Sequence, residues 1–153
     1  MSAIRNIDGP KDFIFRVLSG VAIGIVAGLV PNAILGEIFK YLIQYQPIFK
    51  TLLGVVQAIQ FTVPALIGAL IAMKFNLTPL AIAVVASASY VGSGAAQFKN
   101  GVWIVAGIGD LINTMITAAI AVLFILLIEE RVGSMALIIF PTIVGDLSAT
   151  IGI

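Results

Sequence analysis

The sequence predicts an all-α, polytopic helical membrane protein. It should have four to five membrane segments, at least one broken or re-entrant, plus a short interfacial amphipathic helix. Three observations predict this. First, 61% of the 153 residues are hydrophobic and only 10% are charged, with a mean hydropathy of +1.19. A soluble domain carries about 25% charged residues, so this much apolar side chain needs lipid around it. Second, long apolar runs at 13–30, 47–73, 80–96 and 102–128 are separated by short polar connections. Third, the last of these runs holds Asp110 and Asn113 just after Gly107 and Gly109. A carboxylate kept at membrane depth ordinarily faces protein interior or a wet cavity.

The same composition excludes several function classes. A net charge of +1 leaves no electrostatic footprint for nucleic acid. Cysteine and histidine are both absent. Disulfides, thiol nucleophiles, Cys/His metal sites and phosphohistidine chemistry on this chain are therefore excluded. No catalytic residue, metal ligand or cofactor is assigned. Residues 11–33 could mimic a signal peptide, but apolar segments continue after them, so an uncleaved first span is expected.

Residues 1–11 form a polar head, and Asp12 is expected to cap the first span, 13–30. Gly20, Gly24 and Gly28 repeat every four residues on one face of it. Small residues at this spacing let two membrane helices approach closely, so the stripe should pack against another span of the same subunit, or else form a dimer seam. Pro31-Asn32 is expected to end the span. Residues 33–45 then divide into an apolar face (Ile34, Ile38, Leu42) and a polar one (Glu37, Lys40, Gln44), the pattern of an interfacial amphipathic helix.

The second segment, 47–73, carries Gln57 and Gln60 on one face, with Pro64 expected to kink it just beyond them. Each glutamine amide offers a donor and an acceptor, which suits hydroxyl-rich ligands as well as inter-helix hydrogen bonds. The third segment, 80–96, is rich in alanine, serine and glycine and must be surrounded by protein. Gly92-Ser93-Gly94 should unwind its end and expose backbone groups to a ligand.

Residues 102–128 would make a straight helix about 40 Å long against a hydrocarbon core of about 30 Å. A break at Gly107–Gly109 relieves the excess, leaving 102–108 as a short or re-entrant piece. Asp110 would then stand at the N-terminus of the next helix, where unpaired N–H groups stabilise an anion. Asn113, Thr114 and Thr117 continue the polar stripe, and Val122 beyond it is expected to tolerate truncation to alanine. Residues 134–153 form a last apolar segment interrupted by Pro141, Gly145 and Asp146, and Val144-Gly-Asp-Leu147 echoes Ile108-Gly-Asp-Leu111. Paired broken helices of this kind are common in transporters. Arg5, Lys11, Arg16, Lys74 and Arg131 fall on one side of these spans and Lys40, Lys50 and Lys99 on the other, which favours a cytoplasmic N-terminus.

Four stretches together carry a resemblance: PNAILGEI (31–38), LTPLAIAVVASASYVGSGAA (77–96), AGIGDLINTMITAAIAV (106–122) and the span after it. They resemble the membrane-embedded IIC components of the bacterial phosphotransferase system, specifically a branch of stand-alone IIC-like proteins. The similarity runs from about Lys11 onward. Members of that branch are roughly twice this length, so the chain, one membrane domain over 1–153, resembles their N-terminal half. The resemblance implies a permease in the bacterial inner membrane that binds and translocates a sugar or polyol. A separate cytoplasmic IIB protein would carry the phosphoryl group. Lipid, and either a second half of the domain or a homodimer partner, complete the expected partners.

On this reading Asp110 and Asn113 bind ligand hydroxyls. Gln57, Gln60 and the Gly92, Ser93 and Gly94 backbone contribute, and Asp146 is a further candidate. Two other readings stand beside it. One is a non-transporting scaffold or regulator in which Asp110 simply caps a helix. The other is an enzyme: Gly107-Ile-Gly-Asp110 matches the GxGD motif of intramembrane aspartyl proteases, Pro64-Ala-Leu66 spells PAL, and Asp146 could be the second carboxylate. In those proteases GxGD precedes PAL, whereas here PAL comes first.

Overall fold

A computed structural model describes residues 7–129. Its elements in order are α1 (Pro10–Leu42), α2 (Ile48–Gln60), α3 (Val63–Lys74), α4 (Pro79–Gly92), β1 (Ala96–Lys99), β2 (Val102–Val105) and α5 (Leu111–Glu129). Helix dominates, as expected. Among the described residues, α1 and α5 are each long and apolar enough to cross a membrane. The α2–α3 pair, bent by 43°, makes a third span if it is taken as one. At 14 residues, α4 reaches only about 21 Å. The apolar segment 134–153, with Asp146, lies outside the described residues.

The expected boundary at Pro31-Asn32 is absent. α1 is one helix of 33 residues that passes through Pro31, so 33–45 is not a separate interfacial helix but the continuation of the first span. Proline removes one backbone donor, and a membrane helix tolerates this where side chains and neighbours satisfy the freed groups. The carbonyl that Pro31 frees is that of Ala27, and the buried Asn32 amide donates to its neighbour, the Gly28 carbonyl. Asp12 does not cap the helix either. Gly9 holds that position, and Asp12 instead accepts from Arg16 Nε at 2.8 Å.

The core is built on glycine. α3 runs antiparallel to α1, with Gly20 against Ile71, Gly24 against Ile67 and Gly28 against Val63. A Cβ on Gly20 would stand 2.6 Å from the Ile71 Cα, so only glycine permits this separation. The stripe therefore packs within the subunit. The same device recurs where Gly68 of α3 meets Ser89 of α4, and where Gly92 of α4 meets Thr117 of α5. In lipid, where apolar burial does not by itself bring helices together, such close van der Waals contact is what does.

α2 packs on the far half of α1 through Leu53 against Gly36 and the stacked Phe39–Phe49 rings, 6.1 Å apart. The chain kinks at Phe61-Thr62, and Pro64 opens α3 beyond the bend. Thr78 caps α4, accepting from Ala81 N at 3.4 Å. α5 returns along α4 to place Leu126 and Leu127 beside Pro10 and Phe13, where an apolar cavity of about 490 Å³ opens between α1 and α5.

Charge marks two levels on this bundle. At one end Arg16 pairs with Asp12 and donates through Nη1 to the Lys74 carbonyl at 3.2 Å. At the other, Lys40 Nζ meets Glu37 at 2.6 Å, and the Phe39–Phe49 stack brings Lys50 to the same level. Residues 17–36 of α1 and 51–73 of α2–α3 carry no charge. Twenty helical residues rise about 30 Å, the thickness of a hydrocarbon core.

Candidate functional site: the α4–α5 break

α4 ends at Gly92. Ser93 comes next with its N–H on the Ser89 carbonyl at 3.0 Å, and Gly94 turns the chain at φ +75°. The Ser93 hydroxyl donates to the Tyr90 carbonyl at 2.7 Å and accepts from Ala95 N at 3.1 Å. The expected unwinding at Gly92-Ser93-Gly94 is therefore present.

Beyond this turn the chain forms a β-hairpin, not a re-entrant helix. β1 and β2 pair antiparallel in the register Ala96↔Val105, Gln97↔Ile104, Phe98↔Trp103, Lys99↔Val102. Asn100 and Gly101 make the two-residue turn, both left-handed at φ 52° and 82°. Such a turn matches the right-handed twist of the two strands, and Asn-Gly is the sequence that adopts it most readily. This signal stands in Gln97-Phe-Lys-Asn-Gly-Val102, where composition and hydropathy conceal it.

The chain then returns to Ser93. Gly107 and Gly109 take φ 144° and 69°, and Gly109 lies so close to Ser93 that a Cβ would overlap its hydroxyl. Asp110 N donates to the Ser93 carbonyl at 2.8 Å. As expected, Asp110 heads the next helix. Its Oδ1 accepts from Ile112 N at 2.7 Å and Asn113 N at 3.4 Å, occupying two of the orphan donors that every helix N-terminus presents. Its carbonyl accepts from Thr114 N at 2.9 Å and Thr114 Oγ1 at 2.7 Å. Among the described residues Oδ2 has no protein partner, and the side chain is exposed.

The polar stripe of α5 thus divides by burial. Thr114 and Thr117 are buried, and Thr117, set against Gly92, joins α5 to α4. Asp110 is exposed and Asn113 half-buried. Val122, expected to tolerate truncation, is fully buried at 0% exposure.

The structure brings Asp110, Asn113, Gly92, Ser93 and Gly94 to one place. Gln57 and Gln60 are not brought there: they sit on α2, whose packing partner is α1, with Gln57 exposed and Gln60 half-buried. Asp146 lies outside the described residues, and so therefore does the second carboxylate that the protease reading requires. Among the described residues no cluster of acidic side chains could hold a metal ion.

The depth of the break follows from the glycine contacts. Ser89 faces Gly68, the neighbour of Ile67, which meets Gly24 near the middle of the uncharged stretch of α1. Gly92 and Ser93 lie about 5 Å further along α4. The exposed carboxylate, the interrupted helices and the root of the hairpin therefore stand roughly midway between the two charged levels.

No curated protein and no solved structure matches the chain. The family model described as "Phosphotransferase system, EIIC" matches residues 15–153, which takes in every helix from the first turns of α1 onward, together with the break. The chain belongs to the phosphotransferase system EIIC family.

Proposed function

We propose that the chain is the membrane-embedded part of a phosphotransferase sugar permease, and that the α4–α5 break is its sugar- or polyol-binding site. Family membership supports the class. The observation that carries the site is Asp110: a carboxylate that caps α5 with one oxygen and leaves the other exposed, about midway along an apolar bundle. That oxygen accepts a ligand hydroxyl, the Asn113 amide both donates and accepts, and the turn at Gly92–Gly94 adds backbone groups. Broken helices at mid-depth are how many transporters gather polar groups without lining a whole helix with them. Gln57 and Gln60 join only if α2 moves toward the break, and Asp146 only if a second break faces the first.

The phosphoryl-carrying residue belongs on this reading to a cytoplasmic IIB-like protein, since the chain has no histidine or cysteine to carry it. The cytoplasmic N-terminus and the bacterial inner membrane go with that reading. A second half of the domain, or a second copy, would complete the pathway.

The test is a thermal-shift panel of sugars, polyols and sugar acids on detergent-purified protein, with Asp110→Asn alongside. The expected outcome is stabilisation by one ligand class, lost in Asp110→Asn. Equal stabilisation of both proteins would remove Asp110 from the site. No stabilisation of a folded sample would favour a regulator or scaffold, in which Asp110 is a cap and nothing more.

A further inference from the structure

We propose that Gln97 is a positioning residue of the α4–α5 break, clamping the peptide unit between Gly94 and Ala95 on which the placing of Asp110 depends. The proposal rests on the reading of Asp110 as a ligand group. Gln97 lies half-buried in β1, paired with Ile104 across the hairpin. Its Nε2 donates to the Gly94 carbonyl at 3.2 Å. A carbonyl only accepts, so the amide meets Gly94 in this orientation alone.

That carbonyl belongs to a peptide unit held from both ends by side chains. At its other end Ala95 N donates to Ser93 Oγ at 3.1 Å. The Ser93 hydroxyl is itself fixed to the last turn of α4 through the Tyr90 carbonyl, at 2.7 Å. Packing adds nothing here: Gly94 has no side chain, stands at φ +75°, and would meet nothing within 4 Å of an added Cβ. Glycine crosses between backbone wells more freely than any other residue, so hydrogen bonds set this plane. The unit sits between the two carbonyls that catch the returning chain. Ser93 accepts from Asp110 N and Ala95 from Ala106 N, both at 2.8 Å. Its plane therefore sets the spacing of those two anchors, and with it where Asp110 stands relative to the turn. Gln97 does this without touching a ligand.

The test compares the wild type with Gln97→Leu, which removes the donor, and Gln97→Glu, which keeps the length and replaces the donor by acceptors. The first readout is amide exchange of the unliganded protein. Both variants should quicken exchange at Ala95 and Asp110 by about tenfold, the worth of about one hydrogen bond, while α1 and α3 keep their protection. Acidification should slow it again in Gln97→Glu, whose protonated carboxyl becomes a donor, and not in Gln97→Leu at the same pH. The second readout is affinity for the sugar or polyol that stabilises the wild type in the thermal-shift panel. It should fall about tenfold in both variants.

Unchanged exchange at Asp110 would overturn the proposal. Faster exchange with unchanged affinity would overturn it too, leaving Gln97 a support of the hairpin alone. Affinity kept in Gln97→Glu and lost in Gln97→Leu would make the side chain a direct ligand contact through its oxygen, and would also overturn it. A wild type that binds nothing in the panel would overturn the site reading and this proposal with it. The exchange data then distinguish that failure from absence of the clamp.

Discussion

The backbone N–H of Asp110 donates to the carbonyl of Ser93 at 2.8 Å, so the N-terminal cap of α5 is tied to the C-terminal cap of α4 across a sixteen-residue excursion. That bond closes the base of the β-hairpin and brings a glycine-flanked serine and a capping aspartate to one point. On the proposed function, a ligand held at Asp110 would be felt by both α4 and α5.

The double role of Asp110 separates stability from binding. Asparagine caps as well as aspartate, whereas alanine does not, and losing a cap costs about 1 kcal/mol. Asp110→Asn should therefore melt with the wild type while losing ligand stabilisation. Asp110→Ala should lose both, its unfolding midpoint falling in a denaturant titration in mixed micelles. A large loss of stability in Asp110→Asn would show that the charge holds the fold.

Glycine substitutions should have opposite signs on two helices. Gly24→Ala drives a Cβ to 2.6 Å from Ile67 Cγ1 and 2.9 Å from its Cα, so α1 and α3 must separate, at about 1–3 kcal/mol. Gly54→Ala on α2 meets open space and should gain about 1 kcal/mol of helix propensity. Thermal unfolding of the two variants checks both signs in one experiment.

Val122→Ala should destabilise by about 2 kcal/mol, since two buried carbons are removed and the space left is only partly refilled. Leu123→Ala, at an exposed position of the same helix, is the control and should melt close to the wild type.

Gly101→Ala forces an L-residue into φ 82°, at about 1–2 kcal/mol. Amide exchange of residues 96–105 should quicken by about tenfold while the helices keep their protection. Uniform acceleration throughout the chain would mean that the hairpin does not open on its own.

The Tyr41 and Tyr45 hydroxyls lie 3.3 Å apart. The hydrogen bond that the Tyr45 hydroxyl donates to the Tyr41 oxygen, with a smaller contribution from burial, raises Tyr45 above its ordinary value near 10.0. The folded state therefore holds this proton more tightly than the unfolded chain does. The linked stability is complete below the unfolded value and is lost as pH climbs through the folded one. Tyr41→Phe should return the Tyr45 titration, followed by near-ultraviolet absorbance, toward its ordinary value.

The helical membrane architecture was legible because hydropathy sums over whole spans, and the packing role of Gly20, Gly24 and Gly28 because spacing alone puts them on one face. Asp110 as a cap was legible because it follows two glycines and opens an apolar run. Pro31 misled because a proline does not always end a membrane helix; here α1 continues through it, with the small residues Ala27 and Gly28 in the preceding turn leaving room for the ring. The hairpin misled for a different reason. Exposed apolar residues on both of its faces erase the alternation by which a strand is recognised, leaving Asn100-Gly101 as the sole local signal. The placing of Gln57 and Gln60 away from the break depends on which helix α2 chooses as a neighbour, which no local pattern encodes.

The α1–α3 contact has one more property. Its rungs repeat every four residues, a glycine facing a branched aliphatic each time: Gly20 with Ile71, Gly24 with Ile67, Gly28 with Val63. Slid by one turn, the ladder would again set Ile67 or Val63 over a glycine. A slide by one turn keeps two of the three rungs, so this ladder holds the distance between the two axes more firmly than their axial offset. A clasp at the end of the track opposes the slide, where the Arg16 guanidinium holds the Lys74 carbonyl and lies 5.8 Å from the centre of the Phe75 ring.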